Sequence, residues 1–253
     1  MRVIVGCEFS QVVTRAFRDK GHEAYSCDLL PTEGNPAWHF QEDILELLKR
    51  ERFDLAIFHP PCTWLCQAMR TNAARKDRPK ISENFINERQ KAFEFVVSLY
   101  DAPITKIAVE NPIGYLNSAW RKPDQVLRAW HFGHPYKKDI CLWLKNLPKL
   151  THTCVPEGWL FGGQEYPTNL KTLDFWSNKR NQDGKSLKSK TFSGIANAMA
   201  DQWGNKHETL QNLQMGNRGG VGLLEVPRLE ESGEETQVSG TRRIAWNPES
   251  TRL

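Results

Sequence analysis

Short apolar segments alternate with segments of helical periodicity along the first 112 residues, and this alternation constrains the fold more than any other feature. Strands separated by amphipathic helices imply right-handed crossovers between parallel strands. The sequence therefore predicts an α/β fold with a mostly parallel, doubly wound sheet and helices on both of its faces. The predicted strands are Arg2–Gly6, Glu23–Cys27, Leu55–Phe58 and Ile107–Val109, and the predicted helices are Ser10–Lys20, Ile44–Arg50 and Phe85–Tyr100.

The alternation stops after about residue 123, and the remaining chain divides into three parts. A folded domain is expected to end near residue 204, and a looped insert rich in Pro, Gly, Trp and Asn interrupts it at about 146–190. Residues 205–253 show no sustained periodicity and are predicted to form a flexible tail. The remaining predicted elements are a helix at Pro123–Trp130, a strand at Asp139–Lys145 and a helix at Phe192–Trp203.

Composition places the chain among ordinary water-soluble proteins. No apolar run approaches the roughly 20 residues that span a bilayer, and the N-terminus becomes polar too early for a signal peptide. Six cysteines without an export signal are expected to be reduced thiols in the cytoplasm, which would be the host's if a phage encodes the chain. No membrane association and no obligate protein partner are expected.

The ends of the first four predicted strands carry residues that could bind a ligand or take part in catalysis. In open α/β sheets, ligands bind at the carboxyl ends of the strands, near the point where the strand order reverses. We therefore expect these residues to surround one site, in which the glycine allows close backbone approach and the following helix N-terminus faces the ligand. They are Gly6-Cys7-Glu8-Phe9, Asp28, His59-Pro60-Pro61-Cys62 and Glu110-Asn111.

A stiff turn presents Cys62 directly after the third of these strands. Two prolines fix the backbone and remove two amide donors, so the strand stops abruptly and the next side chain is held in a defined direction. This arrangement suits a nucleophile, but an inert buried thiol remains open. A zinc site is a further alternative, although the spacing lacks the paired Cys-x-x-Cys pattern. Its ligands would come from His59, Cys62, Cys66, His152 and Cys154.

Two short segments of the chain resemble two motifs of the cytosine-carbon-5 DNA methyltransferases, especially small phage and prophage members. These segments are Pro60-Pro61-Cys62 and Glu110-Asn111. The helix carrying Gly194 and Asn197 resembles the family's C-terminal cofactor helix. The resemblance covers roughly residues 1–204 and implies a Rossmann-like class I fold that uses S-adenosyl-L-methionine. One departure is clear, because Glu8 and Ser10 replace later glycines of the first family motif. Lys137-Lys138 is a loose substitute for a catalytic Arg-x-Arg motif.

The resemblance assigns a role to each candidate residue. Cys62 would add to carbon 6 of cytosine, Glu110 would meet the ring nitrogen and exocyclic amine, and Asn111 would brace the turn that carries the thiol. No metal is implied. The implied cofactor-binding residues are Gly6, Cys7, Glu8, Phe9, Asp28, Asp43, Pro60 and Asn197.

The expected substrate is DNA, and the charge distribution agrees with it. The segments 70–91 and 171–190 carry seven basic against three acidic residues and six against two, which would suit phosphate contacts. Solvated loops are the alternative interpretation. Two other functions also remain open: a nucleic-acid methyltransferase directed at an amine nitrogen, and a nucleic-acid-binding module that keeps the fold without activity.

Overall fold

The computed structural model describes residues 1–66, 83–134, 138–154 and 190–204. Within these residues, seven strands form one sheet in the order β3-β2-β1-β4-β5-β7-β6. Strand β3 contains only two residues and is absent from the sequence prediction. The strands are β1 (Arg2–Gly6), β2 (Glu23–Cys27), β3 (His39–Phe40), β4 (Leu55–Phe58), β5 (Lys106–Pro112), β6 (Gln125–Arg128) and β7 (Asp139–Lys145).

The five strands from β3 to β5 are parallel, whereas β7 runs antiparallel between β5 and β6. The strand order reverses beside β1, because β1 lies between β2 and β4. This topology is the Rossmann-like fold of the class I S-adenosylmethionine-dependent methyltransferases. The predicted α/β class with a mostly parallel sheet is confirmed.

Five α-helices among the described residues cover the two faces of the sheet. Successive strand residues point to opposite faces, so Val3 and Val5 join the core on one face and Ile4 joins the core on the other. The first core also contains α1 and α5, and the second contains α2 and α3. The helices are α1 (Val12–Asp19), α2 (Ile44–Arg50), α3 (Glu83–Tyr100), α4 (Leu116–Ala119) and α5 (Ser193–Gly204).

The predicted helix at Pro123–Trp130 is wrong. Strand β6 occupies Gln125–Arg128, and a short 3-10 helix follows at Ala129–Phe132. The backbone of β6 pairs antiparallel with β7, and Leu127 is buried in the core. Pairing with β7, the next strand along the chain, therefore outweighs local helical preference here.

Other sequence predictions fall outside the described residues. These are the flexible tail at 205–253, most of the looped insert and most of both basic segments. Within the described part of the chain, no helix is both long and apolar enough to cross a membrane.

Candidate active site

The proline turn after β4 places Cys62 at the protein surface. Pro60 is buried, whereas Pro61, Cys62 and the next residue are exposed. The carbonyl oxygen of Cys62 accepts hydrogen bonds from the amides of Leu65 and Cys66, each at 3.0 Å. The chain thus turns back directly after the thiol, and Cys62 stands at the start of the turn.

Asn111 fastens this turn to the neighbouring strand. Its side chain is 1% exposed, and its Nδ2 donates a hydrogen bond to the carbonyl oxygen of Pro60 at 3.0 Å. The backbone also bridges Cys66 to Gly114, and the amide of Tyr115 donates to the carbonyl of Leu65 at 2.7 Å. The loops after β4 and β5 are therefore held together at both ends of the turn.

Glu110 lies near the end of β5, where it contacts His59 and is affected by the charge of Lys138. Its Oε2 is 3.4 Å from Nδ1 of His59. Although burial raises the pKa of Glu110, the hydrogen bond and charge of His59, together with the charge of Lys138, outweigh burial and lower it overall. Glu110 is therefore an ionised carboxylate over a wide pH range.

The pKa of the Cys62 thiol is shifted in the opposite direction, upward. Although Cys62 is solvent-exposed, neighbouring protein atoms partly desolvate its sulfur and raise its pKa; Cys66 and Glu110 raise it further, and the positive charge of Lys138 opposes them. In the free protein Cys62 is therefore mainly a thiol rather than a thiolate at neutral pH. The sequence indicates Lys138 only weakly, as the second residue of Lys137-Lys138.

A cavity of about 190 Å³ lies beside this cluster, at the ends of β1 and β2. Most of its wall is apolar, and its lining includes three carboxylate residues, Asp28, Asp43 and Glu42, of which Glu42 is paired with Arg50. Such a pocket suits an adenosine group, in which a carboxylate accepts from the ribose hydroxyls and the apolar wall covers the base. The lining residues are Cys7, Cys27, Asp28, Leu29, Glu42, Asp43, Ile44, Pro61 and Phe95.

The carboxylates of Asp28 and Asp43 also hold the local backbone. Oδ1 of Asp28 accepts from the amide of Leu30 at 2.9 Å, and Oδ1 of Asp43 accepts from the amide of Leu45 at 2.7 Å as the N-cap of α2. These contacts fix the orientation of each carboxylate beside the cavity.

The turn between β1 and α1 is held by close packing rather than by repeated glycines. A Cβ atom on Gly6 would lie 2.6 Å from the ring of Phe58, so only glycine fits. Cys7 follows in the left-handed region at φ 59° and lines the cavity. Burial raises the pKa of Cys7, with smaller contributions from Asp28, Cys27 and Asp43.

Glu8 faces α1 instead of the cavity. It is 4% exposed, and its carboxylate accepts from the amides of Val13 and Thr14, at 2.6 and 3.2 Å, and from the Thr14 hydroxyl at 2.7 Å. Burial raises the pKa of Glu8, opposed by His59 and by these hydrogen bonds. The expectation that the N-terminus of α1 faces a ligand is therefore wrong for the Val13 and Thr14 amides, because Glu8 already caps them.

Two further residues predicted to bind the cofactor lie away from the cavity lining. Asn197 is exposed on α5. Phe9 uses its backbone carbonyl, which accepts from the Thr32 hydroxyl and the Glu33 amide, each at 2.9 Å. Of the two prolines, Pro61 lines the cavity, whereas Pro60 is buried beneath the turn and is held there by Asn111.

Gln11 is a residue of this site region that sequence reasoning missed. Its buried amide donates to the Ser26 hydroxyl at 3.0 Å and exchanges two hydrogen bonds with the backbone of Asn35. His39 joins the Ser26 hydroxyl, at 2.8 Å, to the carbonyl of Leu30, at 2.9 Å. These contacts hold the loop after β2 and so support Asp28. A polar residue directly before an apolar helix was the only available signal.

The described residues contain no group of three or more His, Cys, Asp or Glu side chains placed to hold a metal ion. The residues of the zinc alternative are separated by their packing. His59 faces Glu110, while the His152 ring stacks on His131 with 3.6 Å between ring centroids.

Comparisons with known proteins add little beyond the topology. No protein-family model matches the sequence, and no curated protein matches it. Among solved structures, the chain is similar to the S. pombe Dnmt2 methyltransferase, with 15% sequence identity and a TM-score of 0.40. The match covers 74% of this chain and 58% of that one, so the chain spans less than two thirds of that protein. The fold assignment rests on the strand order described above.

Proposed function

We propose that this protein transfers a methyl group from S-adenosyl-L-methionine to carbon 5 of cytosine in DNA, through a covalent adduct with Cys62. One observation carries the proposal. The hydrogen bond from Asn111 to Pro60 fastens the exposed thiol turn beside the ionised Glu110, at the strand ends next to the cavity.

The cavity supports the choice of cofactor. Asp28 would accept from the ribose hydroxyls, and Asp43 with the apolar wall would hold the adenine end. When bound, S-adenosyl-L-methionine supplies an electrophilic methyl group on its sulfonium. Pro61, which lines the cavity, directly precedes Cys62 in the sequence.

Cys62 supplies the nucleophile in this proposal. Carbon 5 of cytosine is a weak nucleophile until a group adds at carbon 6, and a thiolate adds well because sulfur is intrinsically nucleophilic. The raised pKa of Cys62 means that the thiol must lose its proton as it attacks, and the ionised carboxylate of Glu110 would accept that proton. Lys138 stabilises the thiolate by its charge.

Glu110 holds the other edge of the base. Its carboxylate would accept a hydrogen bond from the exocyclic amine and pass the proton taken from the thiol to the ring nitrogen, where negative charge develops as the sulfur adds. After methylation, the carbon-5 proton is lost to solvent, the Cys62–carbon bond breaks, and the ring nitrogen returns its proton to the sulfur, which regenerates the thiol. A base in duplex DNA must first leave the stack to reach these groups.

A mechanism-based trap tests the proposal. DNA that carries 5-fluorocytosine should form an adduct that survives denaturing gels, because fluorine at carbon 5 prevents the final proton loss. The adduct should require S-adenosyl-L-methionine and map by peptide mass spectrometry to Cys62. Cys62→Ala should abolish it, and Cys66→Ala, four residues away, should retain it.

The products distinguish the alternatives. Nucleoside mass spectrometry of DNA from a methylation-free host should show 5-methylcytosine after expression of the protein. Methylation of an exocyclic amine without an adduct would replace the proposal with amine-directed transfer. DNA binding without any methylated base or adduct would leave a binding module.

A further inference from the structure

His59 has a buried side chain beside Glu110, and the proposed reaction assigns no role to it. Only 8% of its side chain is exposed. Its Nδ1 lies 3.4 Å from Oε2 of Glu110 and 3.5 Å from the hydroxyl of Thr191. Thr191 lies two residues before the start of α5, so the imidazole is held between the end of β5 and the segment that leads into the last described helix.

The contacts of the ring indicate which nitrogen carries the proton. Both neighbouring oxygens lie at Nδ1, and the buried Nε2 has no hydrogen-bond partner in the described part of the chain. A carboxylate can only accept. The Nδ1 proton is therefore stabilised by Glu110, whereas no described acceptor stabilises a proton on Nε2.

The charged groups around His59 come from three other parts of the fold. Glu110 belongs to β5, Glu8 to the turn before α1, and Lys138 directly precedes β7; the charge of His59 affects the pKa of both carboxylates. Glu8 is already committed to the amides and hydroxyl at the start of α1. Glu110 is thus the carboxylate whose state His59 controls through a direct contact.

We propose that His59 is a positioning residue for Glu110: its Nδ1–H holds Oε2, which keeps the carboxylate ionised and turns Oε1 toward the exocyclic amine of the target base. The role in base capture rests on the proposed function. Since the amine donates, capture requires the ionised carboxylate, and the rate of adduct formation should fall as Glu110 becomes protonated at low pH.

Three variants separate this role from packing. His59→Leu keeps the bulk but removes the donor, and His59→Asn restores a neutral donor close to the position of Nδ1. Thr191→Val removes the other contact of the same nitrogen and is the matched control. Carbon-13 NMR of labelled glutamate follows the titration of Glu110, with Glu110→Gln identifying its signal. Thermal unfolding checks that each variant is folded.

We expect the Glu110 titration midpoint to rise in His59→Leu, to return toward the wild-type value in His59→Asn and not to rise in Thr191→Val. The pH at which adduct formation declines should rise in parallel, with a loss of about tenfold for His59→Leu at pH 6. An unchanged Glu110 titration in folded His59→Leu would overturn the inference, as would an equal rise in Thr191→Val. If wild-type protein forms no adduct, the proposed function fails, while the titration still decides whether His59 controls Glu110.

Discussion

The side-chain amide of Asn111 donates a hydrogen bond to the Pro60 carbonyl oxygen across 3.0 Å, and this bond joins the two sequence motifs of the site. Pro60 and Pro61 carry no N–H, so this turn has two fewer backbone donors of its own. Asn111 supplies the missing donor from the adjacent strand. The direction of Cys62 therefore depends on a contact between residues 51 positions apart.

Replacing Asn111 by Ala should lower the free energy of unfolding by about 1–3 kcal/mol, because the buried Pro60 carbonyl loses its donor. Formation of the 5-fluorocytosine adduct should also slow. Urea denaturation and adduct kinetics measure the two effects. Asn146→Gly is the control: Asn146 donates from an exposed position to the Thr105 carbonyl, and glycine tolerates its φ of 53°. Equal destabilisation in both variants would contradict a special role for Asn111.

Gly114→Ala should disturb the thiol turn. A Cβ atom at this position would lie 2.1 Å from the carbonyl oxygen of Leu65, so the backbone next to Cys66 must move. We expect adduct formation to fall by at least about tenfold, in addition to a loss of stability. Adduct yield at fixed time, compared with thermal unfolding, separates the two effects.

Gly133→Ala provides the matched control for that experiment. Gly133 has φ +82° and no heavy atom within 4 Å of a built Cβ, so alanine there meets backbone strain alone. It should cost about 1–2 kcal/mol of stability while adduct formation by the folded protein stays close to wild type. A similar loss of activity in both glycine variants would indicate that general destabilisation is responsible.

Asp28→Ala should weaken binding of S-adenosyl-L-methionine by about 1–3 kcal/mol, because a ribose hydroxyl would lose a charged acceptor. Asp28→Asn keeps an oxygen for the Leu30 amide and should separate the loss of charge from the loss of the turn. Isothermal calorimetry measures both. Glu46→Gln, in the first turn of α2, should leave affinity unchanged. Unchanged affinity in Asp28→Ala would remove this residue from the cofactor site.

The pH midpoint of Cys62 alkylation should shift when a neighbouring charged residue is replaced. Because the pKa of Cys62 is raised, its reaction with iodoacetamide should reach half-maximal rate at a higher pH than that of N-acetylcysteine. Lys138→Ala removes a charge that lowers this pKa, so the midpoint should rise further. Glu110→Gln removes a charge that raises it, so the midpoint should fall. Peptide mass spectrometry with site-specific quantitation gives the rates.

A midpoint for Cys62 at or below that of the free thiol would contradict the prediction. So would shifts of the same sign in Lys138→Ala and Glu110→Gln. Cys62→Ser gives the background from the other cysteines.

The sequence by itself determined three of the five parallel strands. Strands β1, β2 and β4 have the predicted boundaries, because buried parallel strands are short, continuous apolar segments that local periodicity identifies. The position of Cys62 after β4 followed from these boundaries, whereas β5 extends beyond the predicted Ile107–Val109 to Lys106–Pro112 and includes Glu110 and Asn111. The bracing of the turn by Asn111 was expected from the family resemblance, and the structure shows the hydrogen bond itself.

Only the tertiary structure decided the remaining features, because each depends on a contact between two different elements that local periodicity does not encode. Strand β6 forms by pairing with β7 although its own residues favour a helix. The direction of Glu8 depends on the amides of α1, which turn a predicted cofactor ligand into a helix cap. The contact of His59 with Glu110 requires β4 and β5 to lie side by side, and neither the spacing of 51 residues nor local propensity encodes it. Local patterns set where each element begins and ends, and long-range packing sets which side chains face one another.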